Sequence, residues 1–191
     1  GMGYVGTAMA TLIASIKKKN KSKYFVRGIE QNNSKGIAIS KLLNKGILPF
    51  DINDKLFKKN FYFATRKKKN LICSNSIKDI SESKIVIVSI NCDLIKKRKP
   101  DVDLKNFLKS IKSILENLNK NAILIIESTI PPGTCELKII PMYKEVFKKR
   151  KETFDFNNFN TLACRIGRCN STFVGRPSYF CFKGRKYCFI Y

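Results

Sequence analysis

Hydrophobic positions along this chain switch between a helical period and short continuous runs, and the switches mark its elements. Small and apolar residues recur at helical spacing from Thr7 to Ile16 and give way to Lys17, Lys18 and Lys19. This predicts a helix over residues 7–19, with cations in its last turn where the dipole favours them. A loop over 20–23 follows, then a β-rich run over 24–29 that ends at Glu30. Residues 34–45 read as a second helix, with Ile37, Leu42 and Leu43 available for burial and Gly46 just past its end, where helices commonly turn left-handed. Residues 51–70 are polar and lysine-rich and suggest a short helix over 54–59 and a connecting strand over 61–65. A helical turn over 75–82 precedes a continuous β-branched run at 84–90, the pattern of a strand buried on both faces of a parallel sheet. Residues 103–117 put Leu104, Phe107, Leu108, Ile111, Ile114 and Leu115 on one helical face. Another buried run occupies 122–127, and a helical pattern resumes over 135–149. Strand and helix alternating in this order predict an α/β fold with a doubly wound parallel sheet.

The chemistry begins at Gly1-Met2-Gly3-Tyr4-Val5-Gly6, a G-x-G-x-x-G turn leading directly into the first helix. Glycines at this spacing let the backbone turn tightly, approach a pyrophosphate, and pack the following helix on a sheet. Such a turn should follow a strand, and no residue precedes Gly1; either that strand has been lost or the hexapeptide is accidental. Glu30 stands twenty-four residues after Gly6. A carboxylate at the end of a second strand accepts hydrogen bonds from adenosine ribose hydroxyls. An ordinary surface glutamate would sit there equally well, but together with the glycines the ribose role is favoured.

Composition narrows the classes. The 191 residues are 43% apolar, which suits a globular domain and not a disordered chain. No apolar run nears the roughly eighteen residues of a membrane span, so a cytoplasmic protein without a membrane partner is expected. The net charge of +24 raises nucleic-acid binding, because lysines that neutralise phosphates release counterions. Its distribution argues against this: the lysines fall in short runs without alternating stacking aromatics, and abundant Asn and Ile accompany them, as AT-rich coding would produce. A non-catalytic basic module on nucleic acid or another polyanion is the alternative reading. The seven cysteines are expected as free thiols, and with no histidine in the chain a zinc site would have to be all-thiolate; no metal is expected.

One stretch is specific enough to name a family. Glu127-Ser128-Thr129-Ile130-Pro131-Pro132-Gly133-Thr134 after a buried strand, downstream of the glycine turn, resembles the cofactor half of the UDP-glucose/GDP-mannose dehydrogenases, which include the UDP-N-acetylmannosamine dehydrogenases. Glu30, Leu43-Asn44-Lys45-Gly46 and Lys99-Pro100-Asp101 lie between the two motifs in the expected order. The resemblance covers residues 1–150 and implies a Rossmann-type NAD-binding domain. It implies further an oxidation of a nucleotide sugar's primary alcohol to a carboxylate using two NAD molecules, within polysaccharide biosynthesis. Carried over residue by residue, Gly1, Gly3, Tyr4, Val5 and Gly6 would meet the pyrophosphate, Glu30 the ribose, and Ser128 and Thr129 the nicotinamide side near the substrate.

The chain also departs from the family. Asn91-Cys92-Asp93 replaces a Thr-Pro pair that many relatives carry. No Gly-Phe-Gly-Gly-x-Cys type loop is present, so no residue is assigned as catalytic, and the chain is expected to act as the cofactor half of an enzyme, inactive alone. Relatives form homodimers through a central helix that these residues do not include. Residues 151–191 read as an aberrant tail in which arginine, cysteine and phenylalanine rise together and periodicity fades. The favoured account is a shift of reading frame after about 155–163, and the alternative is a genuine divergent tail.

Overall fold

The computed structural model describes residues 1–95, 101–150 and 162–166, of which 93–95, 101–102 and 162–166 are described by their backbone. The chain divides into two units, Gly1–Asp79 and Ile80–Tyr191.

In the first unit, helix α1 (Tyr4–Ser15) buries Thr7, Ala10, Thr11 and Ala14. These small side chains let it lie close against a pair of parallel strands that come later in the chain. Its end differs from the expected helix over 7–19. Ile16 turns extended, and β1 (Lys17–Lys18) pairs antiparallel with β2 (Lys21–Ser22) around Lys19 and Asn20, at φ 49° and 61°. Two left-handed residues in a two-residue loop match the twist of a hairpin, and the lysine run offers no apolar face to extend the helix. Strand β3 (Val26–Ile29) follows, then α2 (Ser34–Asn44), which Asn33 caps by accepting the Gly36 N–H at 2.8 Å. Gly46, at φ 74°, ends it as anticipated.

Helix α3 (Lys55–Tyr62) continues into a π-helical turn (Phe63–Lys67) where a strand over 61–65 was expected. The aromatic run reads as β locally, but Phe57 and Phe61 stack at helical spacing, and Phe61, Ala64 and Thr65 are buried on one side. The strand of this region is instead β4 (Leu71–Ser74), which was not anticipated; it pairs parallel with β3 from Val26↔Leu71 to Ile29↔Ser74. The core gathers Met2, Ala10, Ala14, Leu43, Phe61, Ala64, Leu71 and Cys73.

In the second unit, β5 (Ile85–Val88) is followed by β6 (Asp93–Ile95) and β7 (Asp101–Asp103), an antiparallel pair. Helix α4 (Lys105–Asn117) buries Phe107, Ile111, Ile114 and Leu115, as its periodicity predicts. Strand β8 (Ile123–Ile130) then lies parallel to β5, and a π-helical turn (Cys135–Ile139) leads into α5 (Ile140–Lys149), which packs on α4. Within the stretch read as an irregular tail, residues 162–166 form β9 (Leu162–Ile166), parallel to β8 on the side away from β5. The rest of 151–191, including Cys169, Cys181 and Cys188, lies outside the described residues. Parallel strands joined through helices make this an α/β fold, as the order of elements predicts.

Neither Cys73 nor Cys92 is in a disulfide, but Cys135 is disulfide-bonded, against the expectation of free thiols throughout. Among the described residues no helix is long and apolar enough to cross a membrane, and no cluster of metal-ligating side chains occurs.

Candidate cofactor site

The glycine turn is built from inside outward. Met2 points into the core at 4% exposure, and its side chain lies over Gly28 of β3, where a Cβ would come within 2.4 Å of the Met2 Sδ. The buried Thr7 hydroxyl donates to the Met2 carbonyl at 2.8 Å, which ties the turn to the first turn of α1. The Met2 N–H donates to Glu30 Oε1, so the turn and the end of β3 are joined directly. Glu30 Oε2 accepts from the Gln31 N–H at 3.3 Å, and the Glu30 N–H continues the sheet by donating to the Ser74 carbonyl at 3.0 Å.

Gly3 is the N-cap of α1, with no side chain capping the helix and no acidic residue in its first turn. The first intrahelical bond is from Thr7 N–H to the Gly3 carbonyl at 2.9 Å. The N–H groups of Tyr4, Val5 and Gly6 therefore precede the helical ladder, at the positive end of the helix dipole. A Cβ on Gly3 would meet no atom within 4 Å. Open space at Gly3, the residue that precedes these uncapped N–H groups, suits an anionic diphosphate. Gly1 and Gly3 are exposed, Gly6 is half-buried, and the Val5 side chain is 58% exposed. The Tyr4 ring turns aside, stacking on Phe50 at 4.5 Å, and its hydroxyl donates to the Asp51 carbonyl. Tyr4 thus has its backbone at the turn while its side chain anchors the segment after α2.

A carboxylate has about four acceptor positions, and Glu30 uses two of them on backbone N–H groups. The remaining capacity suits a vicinal diol, and its charge opposes a phosphate in the same place. The structure thus ties the turn that holds Gly1, Gly3, Tyr4, Val5 and Gly6 to Glu30 through the Met2 N–H. Beneath them Cys73 is buried; burial first, and the Glu30 charge second, push its thiol up to about 12, so it is neutral and no nucleophile.

Ser128 and Thr129 lie in the second unit, near the C-terminal end of β8. Ser128 is 3% exposed and its Oγ accepts the Ile90 N–H at 3.0 Å, fastening the segment after β5 to β8. Thr129, its neighbour on the other face, is exposed. Pro131 and Gly133 form a turn closed by Thr134, whose hydroxyl donates to the Pro131 carbonyl at 2.7 Å, with Gly133 at φ 80°.

Sequence reasoning did not reach the contacts that position the turn. Gly28, inside a β-rich run, was the available signal, because glycine within a strand often marks a close approach. Asn70 carried none: it is a polar residue in a lysine-rich stretch, yet its buried amide donates to the carbonyls of Ala14 at 2.8 Å and Tyr24 at 3.0 Å, joining the end of α1 to the start of β3.

Comparison with known proteins agrees with this geometry. Residues 1–162 match the model of the UDP-glucose/GDP-mannose dehydrogenase family, NAD binding domain. A UDP-N-acetyl-D-mannosamine dehydrogenase of Pyrococcus horikoshii is 28% identical over 136 residues, which are 71% of this chain and 29% of that protein. A UDP-glucose 6-dehydrogenase of Rickettsia typhi is 26% identical over 136 residues, 71% of this chain and 28% of that protein. The chain thus spans under a third of the length of these relatives. Among solved structures, an NDP-N-acetyl-D-galactosaminuronic acid dehydrogenase from Methanosarcina mazei Go1 superposes with a TM-score of 0.68 at 22% identity, over 87% of this chain and 32% of that one; this likeness bears on the fold. With a family match over most of its length and a Rossmann-type fold beneath it, the chain belongs to the UDP-glucose/GDP-mannose dehydrogenase family, of which it carries the NAD-binding domain.

Proposed function

We propose that the first unit holds NAD at the glycine turn, and that the chain serves as the cofactor half of an enzyme oxidising the primary alcohol of a UDP-sugar to the uronic acid. The observation that carries this reading is the open space at Gly3, before the uncapped start of α1, with Glu30 tethered to the same turn through the Met2 N–H. The first-turn N–H groups and the helix dipole would hold the diphosphate. Glu30 would accept the ribose hydroxyls and exclude a ribose 2′-phosphate by like charge, favouring NAD over NADP. Bound NAD supplies a hydride acceptor. In the second unit, the exposed Thr129 carries the hydroxyl that the family resemblance assigns to the nicotinamide side, while Ser128 fastens the segment after β5 to β8.

Calorimetric titration tests the reading. NAD should bind saturably, and Glu30→Gln, which keeps an acceptor for the Met2 N–H, should weaken NAD by about tenfold or more, the value of losing hydrogen bonds to a charged group. The same variant should narrow the preference for NAD over NADP. Unchanged affinity for both cofactors in this variant would remove Glu30 from the site.

A further inference from the structure

The lysine runs at 17–19 and 67–69, fifty residues apart in the chain, converge on one end of the first unit. The hairpin returns beside the helix end through the Lys23 N–H, which donates to the Ile16 carbonyl at 2.9 Å. Asn70 bonds Ala14 and Tyr24, and its carbonyl accepts the Val26 N–H at 2.8 Å. The Asn70 N–H in turn donates to Ala64 at 3.0 Å, so the segment 64–70 lies against the root of the hairpin. Lys17, Lys18, Lys19, Lys21, Lys23, Arg66, Lys67 and Lys69 are exposed there, with Lys68 half-buried. No carboxylate interrupts residues 16–26 or 63–70. Glu30 is at the opposite end of α1, whose 12 residues span roughly 18 Å.

Apolar groups stand among these charges. Phe25 is 58% exposed, Phe63 47% and Ile16 45%, with Tyr24 beside them. Cations flanking exposed phenyl rings match an anionic lipid interface, which attracts ammonium groups electrostatically and accepts aromatic side chains at headgroup depth. Nucleic acid fits less well. Lys68 Nζ lies 5.8 Å from the Phe63 ring centroid and Lys23 Nζ 4.9 Å from that of Tyr24, so both rings already carry a cation where a base would stack. Lysines also outnumber the single Arg66, which leaves little of the bidentate geometry that reads bases.

We propose that this lysine-rich end of the first unit, facing away from the cofactor turn, docks the protein on an anionic phospholipid surface. The surface is legible only in three dimensions, because neither lysine run alone carries it.

Flotation of the full chain with vesicles of phosphatidylcholine, with and without phosphatidylserine, tests this. Binding should require phosphatidylserine and fall as salt is raised. Replacing Lys17, Lys19 and Lys21 together by Gln should lower partitioning on the order of a hundredfold, following the value of each lysine near a charged bilayer. Replacing Lys105, Lys109 and Lys120 by Gln removes the same charge from the second unit and should leave partitioning close to that of the parent chain. Phe25→Ser should weaken vesicle binding at constant charge. The proposal is overturned by absence of binding to phosphatidylserine vesicles, by equal losses in the two lysine triples, or by tighter binding to single-stranded or duplex DNA than to vesicles at the same salt.

Discussion

Gly3 and Gly28 show how differently two glycines of one site are constrained. At Gly3 a methyl group meets nothing within 4 Å, and the residue has a φ of −70° that any amino acid adopts. Gly3→Ala should therefore leave thermal stability within about 0.5 kcal/mol, as for a surface change without a special role, while clearly weakening NAD, because on the proposed placement the methyl would occupy space the diphosphate needs. Loss of NAD binding together with stability would instead assign Gly3 to the fold. Gly28→Ala presses on the Met2 side chain in a filled core and should cost about 1–3 kcal/mol, read by urea denaturation. Cys73 gives a pH signature. Its folded thiol is raised from 9.0 to about 12, so its stabilising contribution is complete below pH 9. As pH rises further, the unfolded thiol ionises while the folded one keeps its proton, and stability declines through this window until about 12. Urea denaturation at pH 8 and above pH 10 should show this decline in the parent chain and a smaller one in Cys73→Ala. Of these residues, Gly3 was legible from spacing and Gly28 only as a glycine within a strand; that Met2 is the group lying over it was not legible, since the partners are distant in sequence.

At the scale of elements, the boundaries that held are those with a local stop signal. The helix expected over 34–45 is found at Ser34–Asn44, because Asn33 caps its start and Gly46 adopts the left-handed turn at its end. Where the deciding contact was tertiary, local pattern failed: the run at 61–65 is helical because Phe61 and Ala64 meet the core, not because of its β-prone composition. Asn70 and Arg150 are the joints that pattern could not reveal. Asn70→Ala leaves the carbonyls of Ala14 and Tyr24 without this donor and should destabilise the first unit by about 2–4 kcal/mol, since two partners lose a buried hydrogen bond. Arg150 Nη1 donates to the carbonyls of Leu115 at 3.2 Å and Leu118 at 2.7 Å, closing the end of α4. Arg150→Ala should cost about 1 kcal/mol, as for a cation at a helix C-terminus, and hydrogen exchange should show earlier opening of α4 than of α2.

On the scale of the whole molecule, the relevant fact is that the chain covers 29% of a relative such as the Pyrococcus horikoshii dehydrogenase. The 191-residue polypeptide should bind NAD yet form no NADH when mixed with UDP-sugars, and NADH absorbance after prolonged incubation would contradict this. Saturating NAD should raise the melting temperature of the first unit by mass action, a shift that Glu30→Gln should reduce. The sequence by itself determined the family, the α/β class and the two motifs, because glycine spacing, a strand-terminal carboxylate and buried apolar runs are local requirements written in consecutive residues. Tertiary structure alone decided that Met2 seats the glycine turn on Gly28 and binds Glu30, and that two lysine runs form one surface around Asn70. Those features depend on which distant segments the core brings into contact, and burial free energy is a property of the assembled unit, which no short window of residues contains.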